Sequence, residues 1–254
     1  MPSKHVSDDI IAALDLGSNS FHLIVARKTE VGFRVIDKHK ETIRLASGFD
    51  SSGKLKPEVI KRAIESLKRI GERIRLIPRN CVRIVGTNTL RKAKNAKDLI
   101  DTVERIVGHP VDIISGTEEA RLIYSGVTKN LNEPSSKYLV VDIGGGSTEI
   151  IIGRDEMPLK LNSLHMGCIS ETLKHFKDGS LDSRSFNSAM LSVAQELEPI
   201  ALSYRDFGWN DVVGSSGTIL AIRDIVTKNG WAAEIIGLQI QRIDAAYAEH
   251  VILR

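Results

Sequence analysis

The strongest constraint in this sequence is that it says nearly the same thing twice. Asp15-Leu16-Gly17 closes one apolar run and opens a short polar turn into the next, and Asp142-Ile143-Gly144 does the same, with the aspartates 127 residues apart (142 − 15). A second pair of junctions, IVGTNTL around Gly86 and VVGSSGTIL around Gly214, repeats at an offset of 128 (214 − 86). Junctions of a strand, a glycine and a helix are common in α/β folds, so either match alone would carry little. Two matches at one spacing read as an internal duplication, and the chain is expected to fold as two related units.

The pattern within each copy is the same. Residues 10–16, 21–27 and 33–39 read as three strands of a β-meander. Pro57 opens a helix whose apolar residues Val59, Ile60, Ala63, Ile64, Leu67, Ile70 and Ile74 recur at helical spacing, ending before Pro78. Strand 82–86, one or two helices over 90–108, strand 111–115 and a helix from Gly116 follow. After the polar segment TKNLNEPSSK the order restarts, with strands at 138–143, 148–153 and 159–164, helical material over 168–206, strand 211–215 and a helix over 217–228. Alternating strands and helices point to α/β sheets. The expected domains are 1–126 and 127–254, the second closing on the helical-looking QIQRIDAAYAEHVILR.

Composition narrows the class. A chain that is 42% apolar and 26% charged reads as soluble and globular. No run approaches the 18 apolar residues of a membrane span, and MPSKHVSDD lacks the basic-then-apolar order of a signal peptide, so a cytoplasmic protein without membrane association is expected. Cys81 and Cys168 stand far apart with no zinc-ligand spacing and read as reduced thiols. The net charge of +3 is mild, but cations gather in DKHKETIR (37–44) and RKAKNAK (91–97). Such runs are more often solvated faces than binding sites. His22 and His165 read as packed or surface histidines.

The turn in LVVDIGGGSTEIIIG carries the chemistry. Gly144, Gly145 and Gly146 allow close backbone approach and can aim several N–H groups at an anion such as phosphate, with Ser147 and Thr148 adding hydroxyls. Asp142 and Glu149 would repel a phosphate unless a cation lay between them, and oxygen ligands beside phosphate are what Mg²⁺ takes. An isolated GGG would read as a tight hairpin with surface acids. Its duplicate in Gly17, Ser18, Asn19 and Ser20, again small and rich in donors, favours a pair of phosphate cradles. Neither a Walker A sequence nor G-x-G-x-x-G is present.

DLGSNSFHLIV, GTNTLR, ISGTEEARLIYSGV, VVDIGGGSTEIIIG, HMGC and GSSGTI, in this order, resemble the exopolyphosphatase and guanosine pentaphosphate phosphatase family, over about residues 10–230. The resemblance implies two ribonuclease-H-like domains of the actin, sugar kinase and acetate kinase superfold with the active site in a cleft between them. It also implies Mg²⁺ dependence and hydrolysis of a terminal phosphoanhydride. Family members continue beyond the equivalent of Arg254, so the second domain is expected to be incomplete. The resemblance maps the catalytic base onto Glu119. From the residues alone, Glu118 and Glu119 would only complement a helix start, Glu118 in a capping box with Ser115. Arg91, otherwise a solvated helix charge, becomes a catalytic clamp on phosphate oxygens.

The leading reading is therefore an Mg²⁺-dependent exopolyphosphatase in which Asp142 and Glu149 hold the metal. Guanosine pentaphosphate is the alternative substrate. An ATP-dependent kinase of the same superfold and a non-catalytic polyanion-binding module are the remoter readings. Nucleic acid is not an expected partner, and a homodimer is allowed.

Overall fold

The computed structural model describes residues 9–30, 32–129, 131, 136–230 and, as backbone, 238–240. The chain divides into two compact units that part at Ser115 and Gly116.

In the first unit β1 (Ile10–Leu16), β2 (Ser20–Thr29) and β3 (Gly32–Thr42) form the meander. Helix α1 (Pro57–Ile74), strand β4 (Val82–Gly86), helices α2 (Asn88–Lys92) and α3 (Ala96–Val107) and a two-residue strand β5 (Asp112–Ile113) follow. The sheet order is β3-β2-β1-β4-β5. β1–β2 and β2–β3 run antiparallel, while β1–β4 and β4–β5 run parallel. β1 is flanked on both sides and is apolar except at Asp15, the half-buried residue near its C-terminal end.

Helix α1 begins where Pro57 fixes the backbone after an extended Lys56. It buries Val59, Ala63, Leu67, Ile70 and Ile74 in one core with Leu14, Leu16, Leu23 and Val103. Each fully buried Leu or Ile contributes about 1.5–3 kcal/mol, so a charge at Ile70 would unseat the helix. Along the edge strand β3, residues alternate between half-buried and exposed. Its acids face α1, where Arg73 holds Asp37 at 2.8 Å and Arg69 holds Glu41 at 2.9 Å. The basic run 37–44 is thus largely a solvated sheet edge with neutralised acids.

The second unit comprises α4 (Gly116–Thr128), β6 (Lys137–Ile143), β7 (Thr148–Arg154), β8 (Met157–Leu164), α5 (Cys168–His175), α6 (Ser183–Phe207), β9 (Asp211–Ser215), α7 (Ser216–Lys228) and β10 (Leu238–Ile240). Its sheet order, β10-β9-β6-β7-β8, is the first sheet's order with every strand replaced by its duplicate. The strand senses match too, antiparallel for β6–β7–β8 and parallel for β6–β9–β10. The duplication is real, with one refinement. Gly86 lies opposite Leu16, whereas Gly214 lies opposite Val141, two residues short of Ile143, the counterpart of Leu16. A slip of two preserves which face each side chain occupies.

Three expectations are adjusted. α4 packs on β7 and β8 and so belongs with the second unit, which places the division before that helix instead of at 126/127. Of the strand expected at 111–115 only Asp112 and Ile113 pair, because the Val111 N–H is diverted to Glu104 Oε1 at 2.8 Å. Gln239 and Ile240, read as the start of a helix, lie in β10 beside β9, and residues 241–254 lie outside the described residues. The N-terminal residues 1–8 also lie outside them. Among the described residues no helix is long and apolar enough to cross a membrane.

Candidate active site

The second unit gathers its polar chemistry in one rank across the sheet. Asp142 on β6 pairs with Ser215 on β9 on one side and with Glu149 on β7 on the other, and Glu149 in turn pairs with Ser163 on β8. Directly paired residues share a face of the sheet, so two like charges stand side by side, an arrangement that destabilises unless something compensates. Glu149 is 1% exposed. Burial, followed by the charges of Glu119 and Asp142, raises its proton affinity well above the usual carboxylate range, against donation from Ser163 and Ser147. Ser163 Oγ donates to Glu149 Oε1 at 2.8 Å. Burial also pushes Asp142 up to about 6, although Ser215 hydrogen-bonds it. Glu119, on the first turn of α4, is close enough to act on Glu149 electrostatically. Glu119 and Asp142 thus both raise the cost of charging Glu149.

The first unit keeps the geometry and loses the chemistry. Its equivalent rank runs Val85, Asp15, His22, Lys40, with a histidine where the second unit has Glu149. Only one copy therefore carries paired carboxylates.

The glycine turn lies between Asp142 and Glu149. Gly144 N donates to Ser147 O at 3.0 Å, closing the turn. Its other carbonyls are sealed from behind, where Cys168 N donates to Gly144 O at 2.9 Å and Ile169 N and Ser170 N donate to Gly145 O at 2.9 and 3.0 Å. These are N–H groups of the first turn of α5, which a helix leaves without internal partners. Gly167 is glycine because a Cβ there would lie 2.6 Å from Gly145 C and Gly146 N. Thr148 Oγ1 adds a bond to Met166 O at 2.8 Å. HMGC is thus the buttress of the turn, holding the Gly144 and Gly145 carbonyls from behind.

The turn of the first unit is sealed in the same manner. Ala46 N donates to Ser18 O at 3.0 Å, and Ile43 N and Arg44 N donate to Asn19 O at 2.8 and 2.7 Å. Gly17 is half-buried, Ser18 and Ser20 are buried and Asn19 is exposed. The Ser18 hydroxyl accepts from Thr89 Oγ1 at 2.8 Å, which fixes its position within the unit. Arg91, on the same helix as Thr89, donates through Nη1 to Ile114 O at 2.7 Å. Its guanidinium therefore supports the fold, contrary to an assignment wholly to substrate. Glu118 is held by Arg121 through two bonds of 2.7 Å.

Sequence reasoning missed Ser163, which only the register of β8 brings to Glu149. The GSSGT segment, which the sequence reading matched to GTNTL and to a family motif, opens α7. Ser216 adopts φ 87°, a left-handed backbone that costs a non-glycine residue on the order of 1 kcal/mol. Its Oγ donates to Ile143 O at 2.9 Å, tying α7 to the strand end that carries the turn.

Residues 24–251 match the model of the Ppx/GppA phosphatase family. The chain belongs to the Ppx/GppA phosphatase family. Among its relatives, a Vibrio cholerae protein named guanosine-5'-triphosphate,3'-diphosphate pyrophosphatase is 42% identical over 251 residues, covering 98% of this chain and 50% of that protein. A Haemophilus influenzae protein provisionally named exopolyphosphatase is 42% identical over 219 residues, covering 86% of this chain and 68% of that one. This Ppx/GppA chain spans about half the length of the first relatives it matches. The crystal structure of an exopolyphosphatase-like protein superposes with a TM-score of 0.80 at 24% identity, over 96% of this chain and 86% of that one, which shows the shared fold. The architecture is the duplicated ribonuclease-H-like, actin-like one.

Proposed function

We propose that this Ppx/GppA chain hydrolyses the terminal phosphoanhydride of a phosphate chain. The observation that supports it most is the cross-strand pair of Asp142 and Glu149, with Glu119 acting on Glu149, on either side of a glycine turn held from behind by α5. Phosphoryl transfer is accelerated chiefly by positioning and by neutralising charge. The N–H side of Gly144–Gly146 with Ser147 would cradle the terminal phosphate. Glu119 would accept the proton of the attacking water as the bond from the phosphorus to the leaving phosphate chain breaks.

The site fits Mg²⁺. Its donors are carboxylate and hydroxyl oxygens, and the two raised carboxylates are a standing demand for positive charge. Among the described residues no three His, Cys, Asp or Glu side chains are grouped to hold a metal by themselves. An ion there would be held by Asp142 and Glu149, with substrate phosphate and water completing its shell. When bound, it would neutralise charge on the phosphate.

Inorganic polyphosphate is the leading substrate in this reading. Guanosine pentaphosphate is the second, favoured by the name of the 42%-identical Vibrio cholerae relative. The test is phosphate release from both substrates side by side, with and without Mg²⁺. Mg²⁺-dependent release without ADP formation is the expected result. ADP formation from ATP with a phosphorylated acceptor and no phosphate release would indicate a kinase, and no release from either substrate would refute hydrolysis.

A further inference from the structure

The rank across the second sheet is not only acidic. A hydroxyl stands at each end of it, in the order Ser215, Asp142, Glu149, Ser163. Each serine hydrogen-bonds the acid with which it pairs: Ser163 Oγ donates to Glu149 Oε1 at 2.8 Å, and the Ser215 side chain bonds Asp142. Ser147, in the glycine turn, also reaches Glu149. An ionised carboxylate only accepts, so hydroxyl donors on neighbouring strands are what can fix its orientation.

The duplication separates what the sheet needs at these two places from what the site needs. In the first unit they are taken by Val85 and Lys40, neither a hydroxyl, and the strands still pair in the same order and senses. Only the copy with paired carboxylates has a hydroxyl beside each. Strand β8 does not rely on Ser163 for its place either. Successive residues of a strand face opposite ways, and on the face away from Ser163 the hydroxyl of the buried Tyr204 lies 2.9 Å from Ile150 O and 3.0 Å from Asn162 Oδ1, joining α6 to β7 and β8. The Ser163 bond is thus additional to what holds the strand.

We propose that Ser163 is a positioning residue that holds the Glu149 carboxylate in the orientation in which it takes Mg²⁺, and that Ser215 does the same for Asp142. The inference rests on the metal reading above and adds to it the residues that aim the ligands. Mg²⁺ tolerates little departure from octahedral geometry. A glutamate has several rotatable bonds and would otherwise spread over several rotamers, and ligating carboxylates are themselves held by hydrogen bonds for that reason.

The test titrates Mn²⁺, followed by electron paramagnetic resonance, into the intact chain without substrate and then displaces it with Mg²⁺. Ser163→Ala and Ser215→Ala should each weaken both ions ~10- to 100-fold, and Ser163→Thr, which keeps the hydroxyl, should restore most of the affinity. Tyr204→Phe, which loosens β8 from its other face, should lower the melting temperature and leave the ion affinities unchanged. Wild-type affinity in either alanine variant would overturn the role of that serine, whatever happens to its melting temperature. A loss in Tyr204→Phe equal to that in Ser163→Ala would show that Ser163 acts only through the strand. A wild type that takes neither ion would refute the metal assignment and the positioning with it. The expected ion series in a chain that releases no phosphate would refute the hydrolytic reading and leave the positioning standing.

Discussion

Asp142→Asn should make the metal-free protein more stable at neutral pH. Asp142 has its carboxyl raised from 3.8 to about 6 chiefly by burial, so the folded state binds its proton more tightly than the unfolded chain does. For such a group the favourable contribution is complete below the unfolded value near 4 and is lost as pH rises through about 6. At pH 7 the charged form therefore costs roughly 3 kcal/mol, from 1.36 kcal/mol per pH unit over that interval. Asparagine keeps the shape, still meets the Ser215 hydroxyl and carries no charge. For a chain of this size the gain corresponds to roughly 5–10 °C in melting temperature. The assay is calorimetry of wild type and variant in chelator between pH 5 and 7.5. Their difference should be largest at pH 7.5 and fall by about half at pH 5, where the wild-type carboxyl holds its proton. Added Mg²⁺ should stabilise the wild type more than the variant. A variant less stable than wild type, or a difference independent of pH, would refute the idea that this carboxylate is held against its own solvation.

Gly167→Ala would set a Cβ 2.6 Å from the Gly145–Gly146 peptide, where backbone and not a flexible side chain must yield. Phosphate-release kinetics should fall at least ~10-fold and stability by about 1–3 kcal/mol, and an active, fully stable variant would show that HMGC does not buttress the turn. Arg91→Ala removes a charged donor from Ile114 O, so denaturant unfolding should show a loss of about 1.5–3 kcal/mol whatever the effect on turnover. Unchanged stability would return Arg91 wholly to the substrate.

Much of this was legible in the residues because the duplication supplied its own control. Paired aspartates and paired glycines located both turns, and alternation located the strands around them. Asp142 and Glu149 could be named because each sits next to a turn that leaves a local signature, whereas Glu119 could be told from Glu118 only through the resemblance to the phosphatase family. The rest depended on register. Ser163 stands fourteen residues from Glu149, and only the pairing of β7 with β8, which includes an irregularity at Ile152 and Gly153, decides that the two meet. HMGC could be matched as a motif, but that its N–H groups close the glycine turn from behind is a property of the folded backbone. Arg91 and Ser18 looked free in sequence because their partners, Ile114 O and Thr89, lie 23 and 71 residues away. The left-handed backbone of Ser216 left no mark at all, since serine is not a residue that normally announces such a conformation.

The central claim is that the second unit activates water with Glu119 for attack on a phosphoanhydride. Its most direct test compares initial rates of phosphate release and substrate dissociation constants for wild type, Glu119→Gln and Glu118→Gln. Glutamine at 119 keeps the size and removes the base, so turnover should fall by ~10² to 10⁴ while affinity holds or improves as a negative charge near phosphate is lost. Glutamine at 118 should weaken the half-exposed pair with Arg121, worth at most about 1 kcal/mol, and spare the chemistry. A loss confined to Glu118→Gln would move the base by one residue. Full turnover in Glu119→Gln would contradict the account.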